Sequence, residues 1–280
     1  MDESRSRQDI VEIGKRLYNK GFVASNDGNI SIRLSEREIL ITPTGVSKGY
    51  MSGSDMLKVD LEGNVISGFL KPTSEMKMHL AVYRKRSDVN AIVHAHPPKA
   101  TAFAVAGIKF DKITLPEVVF SLGYISLTEY GTPTTHEVPR SIEKHIDNSD
   151  ALLLANHGAL TVGKDIYDAY YKMETLEHFS AISLYARLLG GERSLNEKQT
   201  EELYRVRREV YGKSNPNCTG CGACAKGVCK TGANTSAKTA QVCDEYGAGN
   251  VRSESKTQSE NDLRESIKRV VLAELLKMQN

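Results

Sequence analysis

Residues 91–96 read Ala-Ile-Val-His-Ala-His, and residues 151–158 read Ala-Leu-Leu-Leu-Ala-Asn-His-Gly. Each is a short apolar run that ends in histidine. Runs of this length, bounded by polar and turn residues, suit buried strands better than helices. Residues i and i+2 of a strand share a face, so His94 and His96 reach one point from a rigid backbone. His157 ends the second run, and Gly158 lets the chain turn sharply beside it. Three neutral imidazoles with an open fourth position describe a catalytic zinc site. His-x-His alone would fit a pair of half-exposed strand histidines equally well; the third histidine at a second strand end weakens that reading.

Working outward, strands and helices alternate. Ile10 to Lys20 has the apolar spacing of a helix ended by Gly21. Asn29 to Leu34 alternates polar and apolar as a half-buried strand, and Ile39-Leu40-Ile41 is a second strand stopped by Pro43 and Gly45. Met56 to Ile66 reads as a hairpin turning at Glu62-Gly63-Asn64, and Ser74 to Arg84 as a helix behind Pro72. Ile166 to Leu189 is a long helix closed by Gly190-Gly191. The expected fold is one α/β domain of about 210 residues, a central mixed or antiparallel sheet flanked by helices, with a flexible C-terminal extension.

Composition narrows the function. Of 280 residues 40% are hydrophobic, and 37 Lys and Arg face 35 Asp and Glu, a net charge of +2. Such a balance gives no general pull toward nucleic acid or an anionic membrane. The chain lacks an apolar run of spanning length, and its charged N-terminus lacks the core of a signal peptide. A soluble cytoplasmic protein is expected.

Glu75, in Lys71-Pro72-Thr73-Ser74-Glu75, sits where a helix begins. A carboxylate there serves as a helix cap, or as a general base beside a metal with Thr73 and Ser74 binding an anion. Two glycine turns, Asp27-Gly28-Asn29 and Thr42-Pro43-Thr44-Gly45, offer further phosphate contacts. The other histidines, His79, His136, His145 and His178, read as structural or surface residues.

Taken in order, SNDGNISIR (25–33), ITPTG (41–45), KPTSE (71–75), HAH (94–96) and NHG (156–158) resemble the motifs of the class II aldolase/adducin family over residues 6 to 212. The resemblance implies the family's α/β fold, a homotetramer, and zinc on His94, His96 and His157, with Glu75 as acid/base and additional metal ligand. It implies that Gly28, Asn29, Thr44, Gly45, Thr73 and Ser74 hold the phosphate and neighbouring groups of a phosphorylated ketose. The implied reaction is retro-aldol cleavage of a ketose 1-phosphate, with L-fuculose 1-phosphate foremost, to dihydroxyacetone phosphate and lactaldehyde. The segment Leu115 to Phe120 lacks the family aldolases' tyrosine and instead carries Glu117, roughly where some family dehydratases place an acid/base. Tyr211 matches a second family tyrosine that protonates the leaving group across a subunit boundary. Glu75 favours an aldolase over a pentulose-phosphate 4-epimerase, which carries Asp there, and over a dehydratase, which lacks the group. Retention of all three histidines argues against a non-enzymatic adducin-like module.

Beyond residue 212 the composition changes. Cys218, Cys221, Cys224 and Cys229 form a dense cluster within 213–230, suited to an iron–sulfur cluster or structural zinc, or present simply as free thiols. Residues 231–261 are poor in large aliphatics and read as a disordered linker. Residues 262–280 place Leu263, Ile267, Val270, Val271, Leu275 and Met278 on one helical face. That helix, behind a linker, resembles the encapsulation peptides of microcompartment cargo, which implies a bacterial microcompartment shell as partner and location. Docking back on its own domain is the alternative.

Overall fold

The computed structural model describes residues 2–213. The cysteine cluster, the linker and the C-terminal amphipathic segment lie outside the described residues. Eight strands form one sheet in the order β4-β3-β2-β1-β5-β8-β7-β6. The strands are β1 Asn29–Arg33, β2 Glu38–Ile41, β3 Leu57–Asp60, β4 Val65–Ser67, β5 Ala91–Ala95, β6 Ile125–Leu127, β7 Ala151–Leu154 and β8 Gly158–Gly163. All pairings are antiparallel except β6 with β7.

Helices cover both faces, which is why β5, β7 and β8 are buried along their whole length and, His94 and Thr161 apart, consist of apolar residues and glycine. One core joins α1 (Glu3–Asn19), α3 (Pro98–Ala106) and α6 (Ile166–Leu188) through Ile13, Leu17, Val93, Phe103, Met173 and Leu176. The other places α2 (Met76–Lys85) and α5 (Glu137–Glu143) over Ile39, Ile92, Leu152 and Leu160. The remaining α-helices among the described residues are α4 (Pro116–Ser121) and α7 (Glu197–Glu209).

Two helix starts differ from the sequence reading. α1 begins at Glu3, seven residues early, because the Asp2 carboxylate caps the Ser4 and Arg5 amides and supports a first turn with few apolar residues. α2 begins at Met76 instead of Ser74, because Thr73 and Ser74 stay in the preceding turn.

Register sets the location of the site. Asn29 opens β1 opposite His94 near the end of β5, and β8 begins at Gly158 beside Ala95. The three central strands therefore deliver Asn29, His94, His96 and His157 to one end of the sheet.

Candidate active site

The β7–β8 turn is tight. Asn156 adopts a left-handed φ of 56°, a conformation Asn tolerates, and the His157 amide donates to Leu154 O at 3.0 Å. Gly158 follows because nothing larger fits: a Cβ there would lie 2.5 Å from His96 Cδ2 and 2.7 Å from Ala95 O.

His94, His96 and His157 face one another, with ring centroids 4.8 to 5.3 Å apart. His94 Nδ1 donates to Ala159 O at 2.9 Å, which leaves Nε2 bare and aimed at the centre. His96 Nδ1 lies 3.5 Å from Asp27 Oδ2, an orienting carboxylate that the sequence reading did not assign. Glu75 projects into the same point. Oε2 is 3.2 Å from His94 Nε2, and Oε1 is 3.2 Å from His157 Nε2. The residue occupies the N-cap position of α2 without capping it.

These spacings fit a divalent metal. Tetrahedral ligands at the usual zinc–nitrogen distance lie about 3.3 Å apart. His94 Nε2 and His96 Nε2 are 3.2 Å apart, and the Glu75 contacts have the same length. Two buried atoms, Glu75 Oε1 and His157 Nδ1, have no hydrogen-bond partner among the described residues. Converging lone pairs and a carboxylate repel one another unless a cation sits between them, so the donor set suits zinc. Burial raises the Glu75 carboxyl, but His94 and His157 outweigh it and hold the group well below the usual carboxylate range. Burial and the neighbouring His94 push His157 down to about 4 and lower His96, so both imidazoles are neutral at pH 7, the form a metal requires. For His94 burial acts downward, but Glu75 overrides it and raises the ring.

The two proposed phosphate segments are joined along their length. Thr44 N donates to Lys71 O, Pro43 bridges Pro72, and Thr73 N donates to Thr42 O. Thr73 Oγ1 accepts the Glu75 amide at 3.3 Å. Thr44, Gly45 and Ser74 line this joined rim without being buried. Gly28, at φ 73°, packs where a Cβ would strike Val23 and His94 O. Asn29 differs from a simple phosphate ligand: its amide donates to Glu75 Oε2 at 2.8 Å.

Glu117 and Tyr211 are not brought to this cluster by any hydrogen bond or ion pair among the described residues. Glu117 is exposed in the first turn of α4. Tyr211 stacks on Phe120 of that helix, with centroids 5.0 Å apart. His79 escaped the sequence reading as a member of the site. It is fully buried in α2, 2.6 Å from Asn29 Oδ1. The signal was its spacing, one helical turn beyond Glu75.

The sequence profile of the class II aldolase and adducin N-terminal domain matches residues 8–184. The chain belongs to the class II aldolase and adducin family. It is 35% identical over 180 residues to an L-fuculose phosphate aldolase of Methanocaldococcus jannaschii, an alignment covering 64% of this chain and 95% of that protein. A 3-oxo-tetronate 4-phosphate decarboxylase of Haemophilus influenzae is 31% identical over 209 residues, covering 72% and 98%. The crystal structure of L-fuculose-1-phosphate aldolase from Thermus thermophilus superposes with a TM-score of 0.59 at 30% identity, covering 68% of this chain and 99% of that one. The family, the aldolase-type lyase activity and the sheet architecture agree with the expectation from the sequence motifs. Among the described residues no helix is long and apolar enough to cross a membrane.

Proposed function

We propose that the protein is a zinc-dependent aldolase that cleaves L-fuculose 1-phosphate to dihydroxyacetone phosphate and lactaldehyde. The observation that carries this reading is the meeting of three imidazoles and one carboxylate at ligand spacing beside a double loop rim. Bound zinc would supply Lewis-acid stabilisation of the enediolate character that develops on the three-carbon phosphate fragment as the carbon–carbon bond breaks.

The remaining work belongs to the chain. His94, His96 and His157 would hold the metal, each approaching from a strand end. The rim of Gly28, Thr44, Gly45, Thr73 and Ser74 would take the phosphate, whose binding energy places the reacting carbons. Glu75, with Oε2 anchored by Asn29 and Oε1 unbonded, would move the proton between the fragment's carbon and its carboxylate. Tyr211, stacked on Phe120 of the helix that carries Glu117, would take the proton of the hydroxyl that becomes the aldehyde carbonyl, in a site shared with a second subunit of a homotetramer. The segment 262–280 would direct the enzyme into a microcompartment. Fusion of residues 255–280 to a fluorescent reporter tests that, and diffuse fluorescence in shell-producing cells would refute it.

A second reading is decarboxylation of a 3-oxo acid phosphate, which leaves the same kind of enediolate. The similarity to the 3-oxo-tetronate 4-phosphate decarboxylase of Haemophilus influenzae supports it. The test is product analysis with both substrates, using the parent and Glu75→Gln. The proposal expects aldehyde release by the parent, and a Glu75→Gln variant that keeps zinc but loses most turnover. Carbon dioxide as the product would establish the second reading, and unchanged turnover would transfer the proton to another group, Glu117 first.

A further inference from the structure

Behind Glu75 a chain of buried side chains runs into the protein. Asn29 Nδ2 donates to Glu75 Oε2 at 2.8 Å, and Asn29 Oδ1 lies 2.6 Å from His79 Nε2. His79 Nδ1 lies 2.6 Å from Ser31 Oγ, which lies 2.9 Å from the Tyr83 hydroxyl. Asn29, Ser31, His79 and Tyr83 are all buried, none more than 2% exposed. The far end is fixed in turn: Arg33 donates to Tyr83 O at 2.7 Å and lies over its ring at 4.7 Å.

The carboxylate decides where every proton in this chain sits. An ionised carboxylate only accepts, so Asn29 turns its NH2 group to Glu75 and its carbonyl to His79. His79 Nε2 must therefore carry a hydrogen. Burial pushes this imidazole down to about 3, so it is neutral and has a single N–H. Nδ1 is then an acceptor, the Ser31 hydroxyl donates to it, and the Tyr83 hydroxyl donates to Ser31. Burial raises Tyr83 as well, so that phenol keeps its proton. All four donors point the same way, toward Glu75.

We propose that His79, locked as the Nε2–H tautomer, is a positioning residue that acts through Asn29 to hold Glu75 Oε2 and leave Oε1 to carry the proton. This rests on the reading of Glu75 as the proton-transferring group. A neutral histidine suits the task because it accepts on one side and donates on the other, which passes the orientation of Ser31 and Tyr83 on to the Asn29 amide.

Neutron diffraction from crystals of the zinc-loaded protein tests the tautomer directly. A hydrogen or deuterium on Nε2 with none on Nδ1 is expected; one on Nδ1 overturns the proposal. Kinetics test the role. His79→Phe keeps bulk but gives Asn29 no donor, whereas the amide of His79→Gln restores one. His79→Phe is expected to lower kcat by about 10- to 100-fold, the worth of a hydrogen bond to a charged group, with KM and zinc content unchanged. His79→Gln is expected to recover most of that loss. Parent kcat in His79→Phe, or equal loss in both variants, overturns the positioning role. Full turnover in Glu75→Gln would instead remove the reading on which the role rests, and the neutron result is independent of either rate.

Discussion

Gly158→Ala isolates the packing that aims the proposed metal ligands. A Cβ at this position meets His96 Cδ2 at 2.5 Å, Ala95 O at 2.7 Å and His94 Cε1 at 3.4 Å. Carbon atoms normally rest about 3.5–4.0 Å apart, so the His96 ring must retreat by about 1 Å. The carbonyl cannot retreat freely, because Ala95 is paired with Ala159 in the β5–β8 ladder. Zinc sites tolerate ligand displacements of only about 0.2 Å. The methyl group therefore removes His96 from the ligand set, which is more damaging than the roughly 10- to 100-fold loss typical when an outer partner is removed. We expect zinc affinity to fall by at least about 100-fold and stability by about 1–3 kcal/mol through overpacking. Competition titration against a chromophoric chelator measures the first, and denaturant unfolding of the metal-free protein the second. Gly45→Ala is the control: its φ of 75° makes alanine strained, but the new Cβ meets nothing within 4 Å, so zinc affinity should match the parent. Parent zinc affinity in Gly158→Ala would refute the claim that close approach at this glycine sets the ligand geometry.

Three further outcomes follow from the same geometry. His79 has its folded pKa depressed from 6.5 to about 3, so below pH 6.5 the unfolded chain takes up a proton that the folded chain refuses. Its contribution is intact above pH 6.5 and is lost on acidification, by about 2 kcal/mol at pH 5; urea unfolding at pH 5 and 7 should show a weaker pH dependence in His79→Gln. Metal loading should also weaken as pH falls, because protons compete for the ligands. Although burial acts downward, Glu75 raises His94, so the loss should begin above pH 6.5 in a zinc titration monitored by calorimetry. Tyr211→Phe keeps the ring that stacks on Phe120, so the unfolding midpoint should not move. If its phenol handles the proton of the oxygen that leaves as the aldehyde, kcat should drop by at least about 100-fold.

Much of this arrangement was readable from the residues alone. The run Ala91 to His96 declared a buried strand and two candidate ligands together, and the strand is there: β5 spans Ala91–Ala95. The hairpin turning at Glu62-Gly63-Asn64 joins β3 to β4. What escaped has physical causes. The sequence Pro-Lys-Ala-Thr-Ala-Phe-Ala-Val-Ala of α3 is built of small residues with little contrast between its faces, so periodicity gives no signal. In α7 the pattern is almost entirely polar, and only Arg207 is buried. The three-residue β6 is too short to show any period. Within the site, His94, His96, His157 and Glu75 stood out because each lies at the end of a regular element. The Asn29–His79 and Ser31–Tyr83 contacts did not, because the partners are 50 and 52 residues apart and meet only when α2 packs on β1. Asp27 was read as part of a phosphate turn, and its approach to His96 depends on the same folding of β1 against β5.

A metal held by three imidazoles is the centre of the proposed chemistry. Release of dihydroxyacetone phosphate from L-fuculose 1-phosphate, followed with a coupled enzyme, tests this most directly when the protein is assayed loaded, stripped by chelator, and reloaded with zinc. Release should stop on stripping and return on reloading. Undiminished release from protein shown by elemental analysis to contain no metal would contradict the central claim.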